Sequence, residues 1–156
     1  MAVLLSRFIE ICVFRRSKYE PQYLLLQRSE RDDLYPGIWQ IVTGSVEEKE
    51  YARKSALREL EEETGLNAER FWIVPFVDSF FDADNDAVHM VPVFAVEVNK
   101  NSGVKLSHEH KCCEWLFYEE AKEIITWPGQ RKALKIVHKY LTGGNETAGL
   151  LEIKQF

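Results

Sequence analysis

The chain has 156 residues, enough for one domain with its own apolar core. Its 25 acidic and 20 basic residues leave a formal net charge of -5, which disfavours nucleic acid as a partner because such surfaces are basic. Three cysteines (Cys12, Cys112, Cys113) without CxxC spacing, and no apolar run near the ~20 residues of a membrane span, exclude a disulfide scaffold and a membrane partner; a cytoplasmic protein is expected.

Residues 7–14, RFIEICVF, alternate in polarity and are rich in β-branched and aromatic types, which predicts a strand. YLLLQR, 23–28, predicts a second. SERDDLYPG, 29–37, reads as a turn punctuated by Pro36-Gly37. IWQIVTG, 38–44, predicts a short third strand. Residues 47–64 lack Gly and Pro and predict a helix, ended by Gly65 with apolar Leu66 behind it. Two strands, 71–81 and 89–98, flank the turn DADND, and Pro75 and Pro92 mark an edge or a bulge in each. CCEWLFY predicts a strand and EEAKEIIT a short helix. Residues 128–141 show helical spacing at Ala133, Leu134, Val137 and Leu141, with Pro128 at the first position behind a Thr126 or Trp127 cap. TGGNETAG then breaks the pattern. Strands on both sides of one long helix predict an α/β or α+β domain with a mixed sheet over 1–141. Residues 142–156 form a tail, docked or flexible.

The helix at 47–64 carries an unusual charge load. Ala52, Ala56, Leu57 and Leu60 make its apolar stripe. Glu59 and Glu63 are four apart and share a face, Glu62 sits beside them, and Glu61 points elsewhere. Like charges at this spacing repel, and the helix C-terminus adds partial negative charge. Arg58 can reach Glu62 and Lys54 can reach Glu50, which leaves the cluster short of cation. Oxygen ligands alone suit a hard divalent ion, Mg²⁺ or Mn²⁺, rather than zinc.

In spacing, the stretch runs Gly44, five residues, Glu50, seven residues, Arg58-Glu59-Leu60, one residue, Glu62-Glu63, one residue, Gly65-Leu66. It resembles the Nudix box of the Nudix hydrolases at every position. More narrowly, WQIVTGSVEE, LSHEHKCCEWL and TWPGQRKAL resemble the dATP/dihydroneopterin triphosphate pyrophosphohydrolase branch. The resemblance implies an α/β/α sandwich with a mixed sheet, in which the box forms a loop-helix-loop. It implies a Mg²⁺-dependent hydrolase of nucleotide-like substrates, with Glu59, Glu62 and Glu63 as metal ligands. Glu109 matches a distal acidic position and is a further metal ligand or base. The general base is Glu59, Glu62 or Glu109.

Glu50 and Arg58 are expected to brace the loop-helix-loop, with Gly65 closing it and Gly44 allowing a tight backbone path at its entry. Arg7 and Arg28 match basic positions of the triphosphatase branch and are candidates for phosphate contact. Thr43 and Gly44 line the substrate side. Trp39 and Trp127 offer stacking surfaces for a base or pterin, with Gln130 and Arg131 as further contacts. His108 and His110 are expected in solvent or hydrogen-bonding roles. The leading expectation is cleavage of a nucleoside triphosphate or related triphosphate to monophosphate and pyrophosphate. Dinucleotide or nucleotide-sugar hydrolysis and a non-catalytic nucleotide sensor are the rivals. The chain is expected as a monomer or homodimer.

Overall fold

The computed structural model describes residues 1–31, 34–144 and 146–156. Asp32 and Asp33, inside the expected turn at 29–37, and Asn145, inside TGGNETAG, lie outside the described residues. The elements run β1 (Val3–Leu5), β2 (Phe8–Arg15), β3 (Gln22–Arg28), β4 (Trp39–Gln40), β5 (Val42–Ser45), α1 (Ala52–Thr64), β6 (Arg70–Asp82), β7 (Ala87–Glu97), β8 (His110–Phe117), α2 (Tyr118–Ile124) and α3 (Pro128–Thr142), with a 3₁₀ turn at Glu146–Leu150. The sheet is mixed. β7 runs parallel to β1 and β2 and antiparallel to β6, while β3 runs antiparallel to β2, β4 and β8, and β5 antiparallel to β2.

Strand alternation sorts the core into two layers. Ile9, Ile11 and Val13 of β2 join Leu24 and Leu26 of β3 and pack on Ala56 and Leu60 of α1. Cys12 and Phe14 join Tyr23 and Leu25 on the opposite face and pack on Ala121 of α2 and Ala133, Leu134 and Val137 of α3. The sheet is therefore the middle layer of an α/β/α sandwich, and among the described residues α1 is the one helix on its face. Among the described residues, no helix is long and apolar enough to cross a membrane.

Several elements differ from the sequence expectation. The helix expected from 47 starts at Ala52, behind Tyr51 as N-cap. Glu47 to Glu50 form a turn instead: the Glu47 N–H donates to the Glu50 carboxylate at 3.2 Å, and Lys49 takes φ 65°. The strand expected over 38–44 is split at Ile41, whose N–H leaves the ladder and donates to the Gln130 side chain at 3.1 Å. β8 starts two residues early, at His110. β1 was not expected at all. The proline reading fits better: the β6–β7 register shifts between Ile73 and Val77, around Pro75.

The tail lies along β6. Ile73 N–H donates to Leu151 O at 2.9 Å, Ile153 N–H to Phe71 O at 2.8 Å, and Arg70 pairs with Glu152 at 2.9 Å.

Candidate active site

α1 brings its acidic face to the sheet end where β5 enters. Gly65 ends the helix at φ 66°, with its N–H on Glu61 O at 2.8 Å, so the carboxylates before it are set at a sharp stop. Three glutamates that share a face then meet three environments. Glu59 and Glu63 are buried, at 8% and 6% exposure, and Glu62 is open to solvent.

Glu59 lies against the backbone of β5. A Cβ on Gly44 would stand 2.1 Å from Glu59 Cγ and 2.3 Å from Cδ, so no other residue leaves room for that side chain. The structure shows this space at Gly44 and no left-handed backbone there. Glu59 Oε1 accepts from Ser45 N–H at 3.1 Å and from Arg58 Nη1 at 2.9 Å. Burial raises its proton affinity above the ordinary carboxylate value, and the Arg58 and Ser45 contacts oppose that.

Arg58 is the hub of the loop-helix-loop. It donates to both Glu50 oxygens, at 3.1 and 2.9 Å, to Glu62 at 3.1 Å and to Ser45 O at 2.8 Å. The Arg58 and Ser55 bonds pull the Glu50 carboxyl down to about 2. Glu50 thus pairs with Arg58, and Lys54 is not its partner.

Glu63 faces the other corner. Its Oε2 accepts from Ser107 Oγ at 2.9 Å and lies 2.6 Å from His110 Nδ1. Burial alone would raise its proton affinity, but the His110 imidazole and the Ser107 hydroxyl outweigh burial and leave it below the ordinary value. Glu109, exposed on the neighbouring loop, is shifted upward by desolvation and by the charge of Glu63. The structure therefore does bring Glu109 to Glu63. Arg28 ends β3 opposite His110, at the same corner. Arg7 is exposed ahead of β2, and its carbonyl accepts Val46 N–H at 2.8 Å, beside Ser45.

Among the described residues, no three His, Cys, Asp or Glu side chains converge into a cation cage. Arg58 holds Glu59 and Glu62, and His110 and Ser107 hold Glu63. The donor set still suits a hard divalent ion: clustered carboxylate oxygens, two of them buried, on one helix end.

The two tryptophans sit on the opposite face. Trp39 packs against the core layer of α2 and α3, and its carbonyl accepts Thr126 N–H at 3.0 Å. Trp127 caps α3 and meets Tyr35 edge-to-face at 4.9 Å. β5 links the faces. Thr43 pairs with Glu10 on the α3 side, and the next residue, Gly44, receives Glu59 on the α1 side.

Glu10 was missed by sequence reasoning because it lies within an alternating strand, where it reads as a solvent-facing position. It is 7% exposed, and burial followed by the Asp78 charge pushes its carboxyl up to about 7. A proton held more tightly in the fold than at the ordinary value of 4.5 gives stability that is full below about pH 4.5 and is lost as pH rises through about 7. Glu10→Gln should remove that loss, worth about 2–3 kcal/mol at pH 8, and raise the melting temperature there while changing little at pH 4. Melts at both pH values check it; an equal difference at both would contradict the buried-acid reading.

Comparison with known proteins agrees with this architecture. The NUDIX domain model matches residues 9–136. An octanoyltransferase of Myxococcus xanthus is 32% identical over 136 residues, which span 83% of this chain and 36% of that protein, so the chain covers about a third of that relative's length. A mouse bis(5'-nucleosyl)-tetraphosphatase is 31% identical over 77% of this chain and 80% of its own. The dihydroneopterin triphosphate diphosphatase of Escherichia coli is 44% identical over 40% of this chain and 39% of its own. A NUDIX hydrolase structure from Listeria monocytogenes superposes with TM-score 0.77 at 24% identity, covering 90% of this chain and 97% of that one. With its motif, its sandwich and its domain match in agreement, the chain belongs to the NUDIX family and is a Nudix hydrolase.

Proposed function

We propose that the chain is a Mg²⁺-dependent pyrophosphohydrolase that cleaves a nucleoside triphosphate, or a related triphosphate such as dihydroneopterin triphosphate, to monophosphate and pyrophosphate. The observation that carries it is the pair of buried carboxylates, Glu59 and Glu63, set at one helix end with Glu62 and Glu109 beside them. Buried like charges are costly unless a cation engages them. Glu59, Glu62, Glu63 and Glu109 would hold the ion, with Mn²⁺ as an alternative to Mg²⁺. Bound there, the metal would neutralise phosphate oxygens and acidify the attacking water. Arg58 and Ser45 fix Glu59, and Ser107 and His110 fix Glu63, so the carboxylates need little reorganisation. The proton of the attacking water passes to Glu59, Glu62 or Glu109. Arg28 and Arg7 flank the two corners and suit phosphate oxygens.

The local 44% identity to a dihydroneopterin triphosphate diphosphatase supports the triphosphate reading. The fuller-length similarity to a bis(5'-nucleosyl)-tetraphosphatase favours a second one, cleavage of a dinucleotide. Chromatography of products separates them. Incubation with Mg²⁺ and separate triphosphates should yield monophosphate and pyrophosphate. Turnover of a dinucleoside tetraphosphate with no pyrophosphate from any triphosphate would overturn the leading reading.

A further inference from the structure

On the α3 side of the sheet, β7 places a small residue, Ala95, in register with Cys12 of β2 and Trp72 of β6. The sheet surface is hollow there, and neither α3 nor the tail fills the hollow. A cleft of about 150 Å³ remains, floored by Phe14, Trp72 and Ala95 and walled by Val137 of α3 and Leu151 of the tail. It lies far from the carboxylates of α1. Phe14 is five residues along β2 from Ile9, the partner of Gly44, which is about 17 Å of extended strand. It also faces away from α1.

The lining is apolar apart from a basic rim. The charged residues that line the cleft are Arg16 and Arg70. Arg70 lies over the Trp72 ring at 4.7 Å and donates to both Glu152 oxygens, at 2.9 and 3.0 Å, which fixes its guanidinium at the mouth. The Arg16 guanidinium stands 5.8 Å from the Phe14 ring. Arg16 is exposed, and its Nε donates to Glu97 Oε1 at 3.1 Å. Among the described residues its two Nη atoms make no hydrogen bond. In this cluster Arg16, Arg70 and Lys154 stand against Glu97 and Glu152, three cations to two anions.

We propose that this cleft binds a small organic acid, a compact apolar body carrying one carboxylate. The body would rest on Phe14, Trp72 and Ala95, and the carboxylate would take the open Nη edge of Arg16. An apolar cavity of this volume holds a molecule the size of benzene. Removing that body from water supplies the attraction. A guanidinium edge matches a carboxylate in both geometry and charge. A cation would meet two guanidinium groups at the mouth, and a neutral apolar molecule would leave the Arg16 edge unused. The tail forms one wall, anchored beside the cleft where Leu151 O accepts Ile73 N–H at 2.9 Å. The proposal stands apart from the reaction at Glu59 and Glu63 and does not depend on it.

The test needs neither metal nor nucleotide. The full chain, isotope-labelled for NMR, would be titrated with phenylacetate and hexanoate, and with their neutral amides, to about 20 mM, since acids of this size bind in the millimolar range or tighter. The backbone amide signals of Ala95, Val137 and Leu151 should shift and saturate with at least one acid, while those of Glu59 and Glu63 stay in place. That acid should bind about fivefold or more tightly than its amide, because its bond to Arg16 is charge-assisted. Whichever acid binds better gives the shape of the body, aryl or alkyl. Arg16→Gln should bring the acid-to-amide ratio within about twofold. Ala95→Leu, which fills the floor, should abolish the saturable shifts at Val137 and Leu151 and melt at or above the parental temperature. No saturable shift with either acid, an amide that binds as well as its acid, or a ratio unchanged in Arg16→Gln would overturn the proposal. Acid binding that survives in a folded Ala95→Leu chain would do the same. Arg16→Gln alters an exposed residue and decides the matter even if Ala95→Leu fails to fold.

Discussion

Glu63→Gln should lower kcat/KM by about 10²–10³-fold while leaving the fold in place. The size follows from removing one preorganised charge from the reacting centre, about 3–4 kcal/mol of transition-state stabilisation. The substitution does remove a charge at neutral pH, because His110 and Ser107 hold the Glu63 carboxyl below its ordinary value against the effect of burial. It is nearly isosteric, and the glutamine oxygen still accepts from Ser107 Oγ, 2.9 Å away in the parent. The link between helix end and loop also survives in the backbone, where Ser107 N–H donates to Glu63 O at 3.1 Å. Stability should therefore fall by no more than about 1–2 kcal/mol. Pyrophosphate release gives the rate, and a thermal melt gives the fold. Glu61→Gln is the control. It removes the same charge from an exposed position of the same helix and should leave the rate within about twofold. Near-parental turnover in Glu63→Gln would remove Glu63 from the proposed site.

The sequence already placed Glu59 and Glu63 on one face, since helical periodicity requires it. The sandwich was implied by the resemblance to the Nudix box, and in the structure the two faces of β2 and β3 each pack on their own helices. Burial was not legible. Glu59 and Glu63 are covered and Glu62 is open, a difference made by β5 and by the loop before β8. Ser107 meets Glu63 across 44 positions of sequence, and Gln130 meets Glu10 across 120. No local pattern encodes such pairs. The start of α1 was misjudged because 47–51 contains good helix formers, yet the Glu50 carboxylate is worth more as the partner of Arg58, Ser55 and the Glu47 N–H than as a first-turn residue. β1 escaped because three residues paired in parallel at a sheet edge leave no period to detect. Trp39 is half-buried against the core layer of α2 and α3. An aromatic beside the motif suggested a ligand platform, and much of its surface goes to the core.

Gly44→Ala should cost more activity than its single methyl group suggests, about 10²-fold in kcat, with a stability loss of about 1–3 kcal/mol. The new Cβ would stand 2.1, 2.3 and 2.8 Å from the Cγ, Cδ and Cβ of Glu59. These are side-chain atoms, so the glutamate can swing aside, but only by leaving Ser45 N–H and Arg58 Nη1. Its carboxylate would move by an ångström or more from the place the helix and strand set for it, which is the scale on which catalytic alignment fails. The cause can be isolated by a double-mutant cycle. In a Glu59→Gly background all three close contacts disappear, so Gly44→Ala should add almost no further loss of turnover and most of its stability cost should vanish. Additive losses would mean that the glycine serves the backbone of β5 itself, and that its fit to Glu59 is incidental. Rates of pyrophosphate release and melting temperatures for the two single variants and the double one decide between them. The non-additive result would also explain why a residue with ordinary strand geometry occupies a fixed place in the motif: the motif requires a hole, and the glutamate fifteen positions later in the chain fills it.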